Sequence, residues 1–249
     1  MNAVYKILGL PAELLCKVPG IGPIVKVCCT SVGQKILMAL TGLSLCGFLV
    51  AHLGGNLNLF AGKDAFNGYA EKLHSLGPLL AVAEVGLFAT FLLHIGLAVS
   101  TTAMSRAARK NEYEKKATKQ SGFILPNGGA SNLMLVTGLI VFAYLVVHIL
   151  DMKLNVRGFP GASEIPGEGD KFEHVRAVLL DFKTAVFYAV CMLALGIHLS
   201  HGVRSACQSL GISHPRWNKL ISIGGVLFAW LIAAGFTSIV VWPWAVVPH

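Results

Sequence analysis

Residues 36 to 55 read ILMALTGLSLCGFLVAHLGG, twenty residues without a formal charge. A hydrocarbon core about 30 Å thick takes about 20 helical residues to cross. The stretch therefore reads as a membrane span, and it sets the class of the whole chain. Four further runs of the same kind follow at roughly 79–105, 131–150, 182–205 and 219–241. A barrel strand needs only about 9–11 residues, so spans this long exclude a β-barrel. The expected fold class is all-α: a polytopic membrane protein whose five transmembrane helices form one bundle, in a single domain covering 1–249.

Composition agrees with that reading. The chain is 55% hydrophobic and 13% charged, where a soluble domain carries about 25% charged residues. Its mean hydropathy is +0.67. Neither a soluble second domain nor an internal repeat is expected.

Basic residues fix the expected orientation. The segment after span two holds Arg106, Arg109, Lys110, Lys115, Lys116 and Lys119 against Glu112 and Glu114, which places it in the cytoplasm. Lys6, Lys17, Lys26 and Lys35 before span one, and Arg204, Arg216 and Lys219 between spans four and five, point the same way. The connection 151–181 contains Asp151, Glu164, Glu168, Asp170, Glu173 and Asp181, and it reads as external. The N-terminus is then inside and the C-terminus outside. The net charge of +8 needs no nucleic acid; much of the excess faces anionic headgroups or a partner protein.

The opening residues lack a clean apolar core with a small-residue cleavage site, so they read as a cytoplasmic amphipathic lead-in rather than a removed signal peptide. Asp64 is expected to cap a short interfacial helix in the excursion after span one, which Gly77 and Pro78 end. RGFPGASEIPGEGD, at 157–170, reads as irregular, and Trp242 and Trp244 suit an outer aromatic belt. Cys16, Cys28, Cys29, Cys46, Cys191 and Cys207 form no C-x-x-C pair and read as packing residues or spectators.

Four of the five spans carry a histidine within apolar sequence: His52, His94, His148 and His198. Histidine at membrane depth is costly and marks function more often than chance. At 1.5 Å per residue, His52 and His148 lie about 24 and about 26 Å from the inner ends of their spans. His94 and His198 lie about 16 and about 8 Å from the inner ends of theirs. Two layers result, an outer pair His52/His148 and an inner pair His94/His198.

A single such histidine is ordinarily an interior residue bonded to a Ser, Thr or carbonyl. Four in matched layers suit two b-type haems, each iron clamped by imidazoles from two helices. With both axial positions filled, electron transfer is the expected chemistry. Gly42, Gly47, Gly96, Gly138, Gly196 and Gly202 would let a flat macrocycle approach the backbone. His201 competes with His198 as ligand, and Arg204 is a candidate propionate contact. A proton relay or metal path is the rival reading, but carboxylates at histidine depth are wanting, with Glu84 alone and near an outer end.

With these residues in place, the chain closely resembles the five-helix, two-haem cytochrome b anchor subunit of bacterial succinate dehydrogenases and fumarate reductases. The resemblance covers nearly the whole chain, and the matching stretches are MALTGLSLCGFLVAHLGGNLNLFAGKDAFNGYAEKLHSLGPLL, FLLHIGLAV, ASNLMLVTGLIVFAYLVVHILDMK and LGIHLSHGVRSACQSLGISHP. The resemblance implies that His52 and His148 hold the distal haem, and His94 and His198 the proximal one. It implies a flavoprotein and an iron-sulfur subunit as partners, and a location in the bacterial cytoplasmic membrane. It also implies a quinone, menaquinone by the resemblance, exchanging electrons and protons near the outer haem. Glu71 and His74 are the candidate quinone-site residues, since some relatives use a carboxylate in that loop. Relatives with a transmembrane proton path carry a glutamate two residues before the fourth-helix ligand, where this chain has Gly196. A cytochrome b of the hydrogenase or formate dehydrogenase type, and a histidine-lined ion transporter, are the alternatives.

Overall fold

The computed structural model describes residues 30–107, 133–161 and 169–246. The lead-in, most of the basic segment after span two, Cys16, Cys28, Cys29 and the acidic middle of the outer loop lie outside the described residues. Among the described residues there are seven helices: α1 Ser31–Asn56, α2 Lys63–His74, α3 Pro78–Ala107, α4 Met134–Met152, α5 Lys171–Leu180, α6 Phe182–Ser209 and α7 Asn218–Val246. A 3-10 turn, Leu57–Ala61, joins α1 to α2. No strand occurs among the described residues. Five of the helices, α1, α3, α4, α6 and α7, are long and apolar enough to cross a membrane. The chain is an all-α polytopic membrane protein.

Local chemistry accounts for the helix ends. Thr30 caps α1 by accepting from the Gly33 amide at 2.9 Å, so α1 starts five residues before the expected boundary. Pro78 opens α3, where its missing N–H costs nothing. Asp181 caps α6 by accepting from the Thr184 amide at 2.9 Å. Gly211, at φ 79°, lets the chain turn off the end of α6 with the Ile212 amide on the Cys207 carbonyl.

The spans do not share burial equally. In its most apolar stretch α6 is 50% buried, whereas α3 is 6% buried, so α6 is the post around which the bundle is built. It packs against α7, α4 and α1, while α3 leans on α1 and barely meets α4. Close approach rests on small residues, as is usual in membranes. A Cβ at Gly196 of α6 would stand 3.1 Å from the Ala233 Cβ of α7, and one at Gly235 of α7 would stand 2.7 Å from Leu53 Cδ2 of α1. Large apolar side chains such as Val82, Val85 and Leu231 face outward, where lipid and not water is their solvent.

One end of the bundle is covered, and by the basic-residue rule it is the outer end. There α2, α5 and the 3-10 turn form a cap. Asn67 stitches it: its Nδ2 donates to Asp170 Oδ1 at 3.0 Å, and its Oδ1 accepts from the Phe172 amide at 2.9 Å. Lys63 pairs with Asp170 at 2.5 Å. Trp242 packs edge-on against Phe60 and Phe172, and Trp244 Nε1 donates to the Leu179 carbonyl at 2.8 Å. The two tryptophans thus fasten the cap to α7 as well as marking its outer end.

One sequence expectation is corrected here. Asp64 does not cap α2; Gly62, at φ 99°, takes the capping position, and Asp64 lies in the first turn, where its charge suits the helix dipole. The irregular stretch 157–170 is followed by α5, capped by Asp170 with Glu173 in its first turn, a helix for which the sequence carried no expectation.

Burial pushes the Asp170 carboxyl up, but hydrogen bonds from Asn67, Lys63 and the Glu173 amide outweigh it and hold it down to about 2. A carboxyl depressed by folding stabilises above the ordinary Asp value of about 3.9, and that contribution fades as the pH falls toward 2. Asp170→Ala is expected to raise hydrogen–deuterium exchange in 63–74 and 171–180 at pH 7, leaving α6 protected. The difference from the parent protein should shrink as the measurement is moved below pH 4. Equal exchange in the two proteins at pH 7 would remove Asp170 from its place as the cap's anchor.

Candidate cofactor site

The four span histidines lie at two levels. His52 of α1 and His148 of α4 have ring centres 5.9 Å apart and ring planes at 87°. His94 of α3 and His198 of α6 each sit beside a threonine of a neighbouring helix instead. The outer ring contact is the one expected from depth. Each helix of the first four spans contributes one imidazole.

The levels are set by α1 itself. Thr41 of α1 lies 3.0 Å from His94 Nδ1, while His52, eleven residues on, meets His148. Eleven residues of helix separate the layers by about 16 Å. The same interval recurs on α4, where Thr137 lies 3.3 Å from His198 Nδ1 and His148 follows eleven residues later. The extra turn of α6, which runs to Ser209 rather than 205, puts His198 about 16 Å from its inner end. That removes most of the offset between His94 and His198 left by the sequence estimate.

The layers are built differently. Around the outer pair the walls are aromatic: Phe48 stacks on His52 with centres 5.2 Å apart, and Tyr144 stacks on His148 at 5.4 Å. Phe236 and Tyr188 close the sides at 5.8 and 6.0 Å. Hydrogen bonding there is long, with Tyr144 Oη 3.5 Å from His148 Nδ1 and Asn56 Nδ2 3.4 Å from His52 Nε2. Around the inner pair the neighbours are Thr41, Thr137 and two glycines. A Cβ at Gly42 would stand 3.2 Å from His94 Cε1, and one at Gly138 3.4 Å from His198 Cε1.

Those contacts expose a repeat that the sequence reading missed. LMALTGLSLCGFLVAH at 37–52 and LMLVTGLIVFAYLVVH at 133–148 share Leu-Met, Thr-Gly-Leu, Leu-Val and the final His in register. The signal was present, but two apolar spans resemble each other by composition, and only the shared contacts show which identities matter.

The remaining glycines divide. Beside Gly47, Gly96 and Gly202 a Cβ would meet nothing within 4 Å, so these helices leave open space there. Gly196 does not: a Cβ would press on Trp230 Cζ3 at 3.2 Å and on Ala233. It is a helix-packing residue, and no room is left there for a larger side chain.

The residues present fit haem on two observations. Two imidazoles on opposite sides of one metal, at about 2 Å each, place their ring centres about 6 Å apart, close to the 5.9 Å found for the outer pair. Gln34, 1% exposed at the inner end of α1, accepts from Ser100 Oγ at 2.9 Å but leaves its Nε2 without an acceptor among the described residues. Any acceptor there, a propionate oxygen included, would satisfy it. Between α3 and α4 an apolar cleft of about 240 Å³ opens, lined by Val99, Thr102, Ala103 and Leu135.

The other candidates sit apart. His201 neighbours Arg204, whose Nη1 donates to Ser222 of α7 at 3.3 Å. Glu71 and His74 are exposed on α2, and His74 Nδ1 bonds the Ala70 carbonyl at 2.8 Å. Glu84 pairs with Lys153 at 2.5 Å, tying α3 to the end of α4. Cys46, Cys191 and Cys207 are free thiols.

The sequence reading gave Asp151 to the outer loop, but it ends α4 inside the protein, 1% exposed. Its carboxylate is held by Arg157 and accepts from Tyr188 Oη at 3.2 Å. Beside it, His174 is 3% exposed, with Nε2 3.0 Å from the Asp151 carbonyl and Nδ1 3.2 Å from that of Pro160. A one-turn spacing from His148 was the only sequence sign that Asp151 belongs to the site.

No protein-family model, curated protein or solved structure matches the chain.

Gly196→Glu is expected to destabilise the protein, because overpacking costs about 1–3 kcal/mol and the carboxylate would be buried without a partner. The midpoint of thermal unfolding in detergent should fall, and Gly196→Ala should fall less. A glutamate variant as stable as the parent would mean that α6 and α7 can part at this level.

Proposed function

We propose that the chain is a dihaem cytochrome b membrane-anchor subunit of a succinate:quinone oxidoreductase in a bacterial cytoplasmic membrane. It would carry electrons between an iron-sulfur subunit and a membrane quinone, menaquinone by the resemblance. It would also fasten that subunit and its flavoprotein to the inner face, where the basic segment 106–119 offers a docking surface. The observation that carries the reading is the placement of four intramembrane histidines at two levels, with His52 and His148 in ring contact and His94 and His198 each against a Thr-Gly of a neighbouring helix.

Haem b, when bound, would supply one-electron redox chemistry. His52 and His148 would hold the outer group, and His94 and His198 the inner one. Phe48, Tyr144, Tyr188 and Phe236 keep water from the outer pair. Arg204 and Gln34, toward the inner end, are the candidate propionate contacts. Glu71 and His74, on the exposed outer excursion, are the candidate groups for exchanging protons with quinone. Ion transport gains one supporting observation in Asp151, a carboxylate near histidine depth. Its carboxylate is engaged by Arg157 and Tyr188, which suits a fixed structural pair better than a relay.

A pyridine haemochrome assay on the purified complex should give two haems per chain. His94→Ala and His198→Ala should each remove the same haem, and His52→Ala and His148→Ala the other. Succinate-oxidising flavoprotein should co-purify. Protein without haem absorbance would end the reading, and haem without that flavoprotein would move the chain to another oxidoreductase.

A further inference from the structure

The inner histidines are braced in a way that the haem reading does not require. Thr41 Oγ1 bonds backward to the Leu37 and Met38 carbonyls at 2.9 and 3.1 Å, and Thr137 Oγ1 to Leu133 and Met134 at 2.9 and 3.2 Å. A hydroxyl has one proton and two lone pairs. With the proton committed to a carbonyl, the oxygen faces the ring as an acceptor, 3.0 Å from His94 Nδ1 and 3.3 Å from His198 Nδ1. That assignment puts the proton on Nδ1 of both rings and leaves Nε2 bare. Thr41 is 8% and Thr137 4% exposed, so water does not compete for the bond.

The neighbouring glycine completes each brace. Gly42 and Gly138 stand against Cε1 of the same rings, where a methyl group would press on His94 and come into contact with His198. The unit Thr-Gly occurs on α1 and α4 at the same distance from that helix's own histidine. Each of the two helices thus ligates in one layer and braces a neighbour's ligand in the other. The outer rings have no counterpart: their polar neighbours stand at 3.4 and 3.5 Å and lie on the ligand's own helix.

We infer that Thr41 and Thr137 are positioning residues for the inner pair, each accepting the Nδ1 proton of the ligand on the adjacent helix and presenting its Nε2 to the metal. The redox consequence rests on the two-haem reading; the tautomer does not. A hydrogen bond that draws on Nδ1–H makes the ring a stronger donor and favours the oxidised metal. Valine is close to threonine in shape but cannot accept.

In a redox titration of the full complex followed by haem absorbance, Thr41→Val and Thr137→Val should each shift the inner haem to a more positive midpoint. The double variant should shift it further, the outer haem should stay where it was, and Thr→Ser should restore the parent value. Unmoved midpoints in the valine variants, or serine variants that behave as valine, would overturn the inference. Solid-state nitrogen NMR on histidine-labelled, haem-depleted chain gives a readout free of haem: the inner rings should show protonated Nδ1, and each valine variant should alter one ring. Protein that never contains haem would sink the proposed function while this measurement still decides the brace. Inner rings protonated at Nε2 would sink the brace while leaving the haem content untouched.

Discussion

An imidazole in hydrocarbon cannot lean on water, and that constraint orders the whole bundle. Each ring has two nitrogens that need partners, and in a bilayer the protein or a ligand has to supply both. In the inner layer a threonine on the next helix takes one nitrogen of each ring, which fixes α1 against α3 and α4 against α6. In the outer layer the rings face each other directly, which fixes α1 against α4. Three helix contacts thus follow from satisfying four side chains. Apolar packing alone would not choose among helix orders, because lipid tails are as good a solvent for leucine as another helix is.

The two layers solve the problem with different materials. Aromatic walls at the outer level give large, stiff contact surfaces and keep the site dry near the headgroups, where water is closest. They hold position by shape, since their hydrogen bonds are long. The inner level has little aromatic wall and holds position by directed bonds, with glycine making the space. Where side chains are fixed by donors and acceptors, a small change in chemistry alters the ring's electronic character; where they are fixed by stacking, it alters mainly their freedom to tilt.

Much of this is legible in the sequence. Charge-free runs of about 20 residues mark all five spans, and rise per residue puts His52 at the level of His148, where the rings meet. What stayed hidden had a physical cause in each case. Asp151 reads as a loop acid because acids end spans, and only its contacts with Arg157 and Tyr188 show that the helix keeps it inside. The helix α5 has a weak apolar pattern and depends on Asn67 and Trp244 from elsewhere in the chain. Gly196 reads, like the other span glycines, as room for a flat macrocycle, yet its neighbours are Trp230 and Ala233. The Thr-Gly repeat was visible as letters but gained meaning only from the histidines it touches.

That repeat makes α1 and α4 equivalent, and with them the helices they brace, α3 and α6. Repeats that run in the same direction through a membrane are related by an axis along its normal. Such an axis would make the α1–α6 seam and the α4–α3 seam alike, and they are not: α6 packs well on α1, whereas α3 and α4 part over an apolar cleft. The fifth span explains the difference. α7 lies along α6 through Gly196 and reaches α1 through Gly235, so it clamps one seam shut and has no counterpart on the other. A bundle of two equal halves would hold both pairs in equal surroundings; adding one odd helix closes one side and leaves the other to whatever fills it.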